Sequence, residues 1–144
     1  MTPWSHPLSD ALLRLFVRIA LAGPFYLSGR TKVVEGSWLT ISESTYGRFE
    51  SEYAGVPLPA RFAALAATVA EHLLPLLLLV GLGTRVAALG LFAMTMIIQI
   101  FVYPAAWWSV HMGWVALALT VLLLGPGRLS LDALLLGKGR HDPQ

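Results

Sequence analysis

Apolar residues run together four times along this chain, and each run is close to the length of one bilayer crossing. A hydrocarbon core about 30 Å thick needs about 20 apolar residues of helix. Such runs lie at about residues 8–28, 60–80, 85–103 and 107–124. The pattern predicts an all-α fold: a four-transmembrane-helix bundle, one membrane domain over residues 1–144, with a long loop between helices 1 and 2. That loop, "GRTKVVEGSWLTISESTYGRFESEYAGVPLP", carries Glu35, Glu43, Glu50 and Glu52 and is too polar to cross. Within it "SESTYGRFESEYA" predicts a short surface helix capped by Ser42 or Ser44. "GLGTR" (81–85) reads as the turn between the second and third spans, and Pro104 in "YPAAWW" as the boundary of the fourth. "GKGRHDPQ" reads as a frayed tail.

Composition supports the membrane reading. The chain is 56% hydrophobic and 12% charged, against a usual charged share of about 25%. So few charges cannot cover a soluble surface. A net charge of +2 with no basic run gives no reason to expect nucleic acid. The absence of cysteine excludes disulfides, a CxxC redox pair, iron–sulfur ligation and thiolate zinc. The first residues lack an early basic region and a small-residue cleavage site, so the first span is expected to be retained. Arg14, Arg85, Arg128, Lys138 and Arg140 fall on the side of the termini, against Arg30, Lys32, Arg48 and Arg61 on the other. Five against four favours cytoplasmic termini in a bacterial inner membrane. Trp38, Tyr53, Tyr103, Trp107, Trp108 and Trp114 would then form an outer aromatic belt.

Candidate chemistry lies in the polar groups inside the spans, where an ionisable residue must find a partner or a function. Arg18 and Glu71 come to similar depths when the first two spans are aligned end to end, so they are expected to pair. Thr68, Glu71 and His72 share one face of the second span at i, i+3 and i+4. Two roles stand open for Arg18, Thr68, Glu71 and His72: an ion pair that fixes helix packing, or a pocket that binds a ligand or moves a proton through His72. A second, outer-end polar cluster comprises Ser28, Arg30, Lys32, Gln99, Tyr103 and His111. For Gln99 an interhelical hydrogen bond is the simplest role. His6, His72, His111, Met94, Met96 and Met112 lack the spacing of a metal site, and no nucleophile elbow exists.

"RLFVRIALAGPFYLSGRTKV", "GVPLPARFAALAATVAEHLLPLLLLVGLGTR" and "LSLDALLLG", in this order, resemble the DoxX family of small four-helix membrane proteins. The specific parts are Ser28–Gly29 with Lys32, Gly55 to Pro57, Glu71, and Gly81 to Arg85. "FYLSGRTKV", "AEHLLPLLLLVGLGTR" and "IQIFVYPAAW" also resemble a subgroup found in operons for copper-binding peptides of the bufferin type. The resemblance implies a membrane accessory or subunit in redox or metal-stress homeostasis, with quinone as the candidate cofactor and membrane or periplasmic redox or metal-handling proteins as partners. Two alternatives stay open: a small transporter or ion-pathway component with a polar intramembrane site, and an assembly protein whose buried charges are structural.

Overall fold

A computed structural model describes residues 6–138. Six α-helices follow one another: α1 Pro7–Thr31, α2 Glu43–Ser51, α3 Ala60–Val80, α4 Thr84–Phe101, α5 Met112–Leu124 and α6 Leu131–Lys138. A 3-10 turn at Pro104–Ala106 and a π turn at Trp107–His111 lead directly into α5, so the fourth apolar element runs from Pro104 to Leu124. Four helices are long and apolar enough to cross a membrane, and the protein is a multi-pass membrane protein. Of the tail expected to fray, residues 139–144 lie outside the described residues.

Local signals place the ends of these helices. Pro7 opens α1, where its missing N–H costs nothing, and Asp10 in the first turn pairs with Arg14 at 2.9 Å. Both α1 and α3 continue through an internal proline, Pro24 and Pro75. The α3–α4 turn needs glycine twice: Gly81 has φ +73° and Gly83 φ +56°. The loop between α1 and α2 is held by an antiparallel bridge, Val33 to Ile41, with the Val34 N–H donating to the Thr40 carbonyl at 2.8 Å. Ser42 is the cap of α2, accepting from the Thr45 N–H at 3.3 Å. The Thr45 hydroxyl then ties α2 to the end of α1 by donating to the Lys32 carbonyl at 2.9 Å.

Val17, Leu21, Ala22 and Phe25 of α1 meet Leu78 of α3, Ala87, Ala88 and Leu91 of α4, and Ala118 and Val121 of α5 in the main core. A second core forms where Phe49 of α2 packs on Ala63 and Ala64 of α3. Two glycines on facing helices set how α1 and α3 lie together. A Cβ on Gly29 would sit 3.0 Å from both the Glu71 Cβ and His72 Nδ1, and a Cβ on Gly81 would overlap Arg18 Nη1 and Ser130. Gly29 therefore faces Glu71, and Arg18 faces Gly81. This register leaves about 13 Å of α3, from Ala60 to about Val69, running past the end of α1. On the side α1 would otherwise occupy, α2 and the segment from Tyr53 to Leu58 cover it.

The aromatic residues expected at the outer interface differ in exposure. Trp38, Tyr103 and Trp108 are exposed, whereas Trp114 packs its ring on Phe25 at 5.0 Å and belongs to the core.

Candidate functional site

At the loop end of the bundle, α1 finishes with a lysine aimed at a buried glutamate. Lys32 Nζ lies 2.7 Å from Glu71 Oε2 and donates to the Ser28 hydroxyl at 2.9 Å. Both side chains are buried, at 7% and 4% exposure. Lys32 can reach Glu71 because the polypeptide leaves α1 just beyond Gly29, where the absent side chain lets α1 press on α3. Glu71 Oε2 is fully enclosed beside Lys32, and the Ser28 hydroxyl lies next to the same carboxyl. Burying charges this way is costly unless other groups complete the site.

Beside the pair is a cavity of about 240 Å³ between α3 and α4, roofed by α2 and the loop that follows it. Small side chains create it. Ala63, Ala66, Ala67 and Ala70 form a stripe on α3, facing Gly90 and Ala93 of α4. Toward the termini, Leu74 fills the space that Gly90 leaves and closes the seam. Phe49, Tyr53, Val56 and Leu58 cover the loop end, with Met94, Ile97 and Ile98 along α4. Ala66, Ala93 and Ile97 are exposed at the rim, so the cavity opens sideways on the lipid-facing surface of two spanning helices. Apart from Tyr53, its polar lining is the Lys32–Glu71 pair. Burial pushes the Tyr53 phenol up to about 12, with the nearby Tyr103 and Glu71 adding to the effect. Its hydroxyl thus stays protonated at any physiological pH and is available as a donor.

The expected pairing of Arg18 with Glu71 does not occur. Arg18 is at the other end of the α1–α3 contact, where its guanidinium donates to the Leu129 carbonyl and lies against Gly81. Aligning the spans end to end placed it wrongly, because α3 is displaced along α1 by the close contact at Gly29. Around Arg18 the segment 129–132 folds back onto the α3–α4 turn. The Asp132 carboxylate accepts from the Gly83 and Thr84 N–H groups at 2.8 and 2.9 Å, and the Asp132 N–H donates to the Gly81 carbonyl at 2.8 Å. Burial raises the Asp132 carboxyl, but these hydrogen bonds and nearby Arg18 outweigh it and hold it below its ordinary value. Arg18 Nε and Nη1 have no partner among the described residues.

Thr68 and His72 share the buried face of α3 with Glu71, yet neither lines the cavity. Thr68 donates to its own helix at Ala64, 2.7 Å away. His72 Nδ1 donates to the Thr68 carbonyl at 2.7 Å, and Nε2 has no partner among the described residues. The imidazole meets Gly29 and the edge of the Tyr26 ring, on the side facing α1.

The outer-end cluster separates into four groups. Ser28 and Lys32 join Glu71. Gln99 and His111 bond each other at 2.6 Å between Oε1 and Nδ1, and the Gln99 amide donates to the Pro104 carbonyl at 2.8 Å, an interhelical role. The Tyr103 hydroxyl donates to the Glu52 carboxylate. Arg30 donates to the Ser37 carbonyl at 2.9 Å and lies 5.1 Å over the Trp38 ring. Among the described residues, no three His, Asp or Glu side chains gather as a metal would need.

Sequence reasoning missed three components of these sites. The alanine stripe on α3 has helical spacing and was legible, but alanines in a span look like ordinary packing. Lys32 was placed in the wrong group. Asp132 reaches the start of α4 from far along the chain, so no local signal in the sequence pointed to it. The DoxX family model matches residues 13–112. No curated protein and no solved structure matches the chain.

Proposed function

The chain belongs to the DoxX family, and from that premise we propose that it is a membrane accessory or subunit for redox or metal-stress homeostasis whose cavity takes a quinone-type ligand from the bilayer. One observation carries this reading: an apolar cavity of about 240 Å³, open to the lipid side, ends at a buried Lys32–Glu71 pair. An apolar cavity of about 150 Å³ holds benzene in another protein, so this one suits a substituted ring with part of a tail. The few convergent polar groups in an apolar lining are what orients such a ligand. Lys32 and Tyr53, on the cavity lining, supply donors for ring oxygens. The resemblance to the subgroup associated with copper-binding peptides supports metal stress as the setting and periplasmic redox or metal-handling proteins as partners. An inner-membrane location with cytoplasmic termini places the cavity and α2 toward the periplasmic face.

A polar transport pathway has less support, since Arg18 and Glu71 lie at opposite ends of α1–α3 and form no continuous file. Gentle extraction followed by mass spectrometry of bound lipids tests the proposal. Quinone should copurify with the native protein and be lost from Ala67→Trp, which fills the cavity. Native protein free of quinone, and unable to bind added quinone, would end this reading.

A further inference from the structure

The end of the bundle that carries the termini differs in surface from the cavity end. There we infer a binding site for an anionic phospholipid, made by the leucine face of α6 together with Arg85 and Arg128. α6 lies outside the four spans, and Asp132 holds its first turn against the α3–α4 turn, where two spans leave the bilayer. Exposed Leu82 and Val86 border that turn, so α6 starts at the edge of the lipid-facing surface. Leu131, Leu134 and Leu135 stand at i, i+3 and i+4 and share one face of α6. They are 41%, 64% and 62% exposed. An apolar helix face held at the level of the headgroups is covered by acyl chains in preference to water.

The charge around α6 sets the headgroup. The turn between α5 and α6 is wedged between two arginines. A Cβ on Gly125 would lie 3.2 Å from Arg85 Nη2, and one on Gly127 would lie 2.9 Å from the Arg14 side chain. Arg128 is exposed on the same turn. Asp10 and Asp132 are the acidic side chains at this end among the described residues, and both are engaged, with Arg14 and with the N–H groups opening α4. Arg14 also donates to the Leu124 carbonyl. Among the described residues no carboxylate lies within ion-pair distance of Arg85 or Arg128. Two cations without a counter-charge, beside an apolar helix face, match a lipid phosphate above its acyl chains. A zwitterionic headgroup would bring a further cation to these arginines, and an anionic one does not.

The test uses the full chain in nanodiscs holding equal amounts of phosphatidylglycerol and phosphatidylcholine. On release for native mass spectrometry, the lipid retained by the native protein should be phosphatidylglycerol by about fivefold, the effect of one engaged arginine. In the double variant Arg85→Gln/Arg128→Gln that ratio should fall below about twofold. The chain has no cysteine, so single cysteines carry spin labels without background. Labels at Leu134→Cys and Leu135→Cys should collide with oxygen and be shielded from a water-soluble nickel chelate, whereas a label at Ser44→Cys, exposed on α2, should meet the chelate. Equal retention of the two lipids by the native protein would overturn the inference. So would α6 labels as open to the chelate as the one at residue 44. Dipolar broadening between α6 labels, with shielding from oxygen as well, would give the leucine face to a second copy of the chain and also overturn it. The lipid comparison on native protein decides the matter even if the arginine variant does not fold.

Discussion

Two buried charges sit at opposite ends of the same pair of helices, and their surroundings differ. Arg18, at the end of the termini, is 1% exposed and enclosed by main chain: Leu129 above it, Gly81 against it, and Asp132 fixed on the N-terminus of α4. Glu71, at the loop end, is buried to a similar degree but lies beside empty apolar space. The first site is closed by backbone and locks α6 to the α3–α4 turn. The second is bounded by alanine and glycine and leaves room for a molecule. Burial of a charge within a membrane therefore does not by itself mark a ligand site; the side-chain volume around it does.

The largest effect should come from filling the closed site. Gly81→Val puts a branched side chain at φ +73° and into Arg18 and Ser130, at a combined cost of about 3 kcal/mol or more. Folded yield in mild detergent should collapse, whereas Ala67→Leu, at the open site, should leave yield unchanged. Equal tolerance of both would erase the distinction between the two ends.

Removing one charge of the loop-end pair comes next. Lys32→Ala or Glu71→Ala leaves its partner buried, at about 3 to 5 kcal/mol in soluble precedents. A double-mutant cycle on thermal unfolding should give a coupling of about 1 to 3 kcal/mol for Lys32 with Glu71. Arg18 with Glu71 should add within about 0.5 kcal/mol. Coupling of Arg18 to Glu71 instead would contradict the register set by Gly29 and Gly81.

Acid should affect the closed end through Asp132. Its carboxyl is held below the ordinary value in the folded protein, so its contribution to stability is complete above the unfolded pKa of about 3.9. That contribution is lost as pH falls through the lower folded value. Unfolding followed between about pH 2.5 and 6 should show this loss in the native protein and not in Asp132→Asn. An unchanged profile in the variant would remove Asp132 as the capping anion.

The smallest effect is expected at His72. The imidazole faces Gly29 and Tyr26 and does not line the cavity. His72→Gln should fold normally and bind added quinone within about twofold of native. A selective loss of binding would return His72 to the ligand site.

The sequence by itself determined the architecture. Runs of about twenty apolar residues admit little besides spanning helices, because the bilayer offers the backbone no other hydrogen-bond partner. Ser42, Gly81 and Gly83 likewise act through their own neighbours, and the α3 boundaries, the α2 cap and the α3–α4 turn fall where these local signals put them. Glu71 was legible as the polar centre for the same reason, since its cost depends only on being inside the apolar run. Its partner was not legible. Which charge meets Glu71 depends on how far α3 slides along α1, and aligning the spans end to end puts Arg18 opposite residue 70. In the structure Arg18 lies at Gly81, about three turns further on. Close approach at Gly29 and Gly81 decides that displacement, and with it decides that Lys32 reaches Glu71 and that α3 outruns α1. The cavity follows from the same offset: only a helix face left without its neighbour, and lined with alanine, keeps space beside a buried carboxylate.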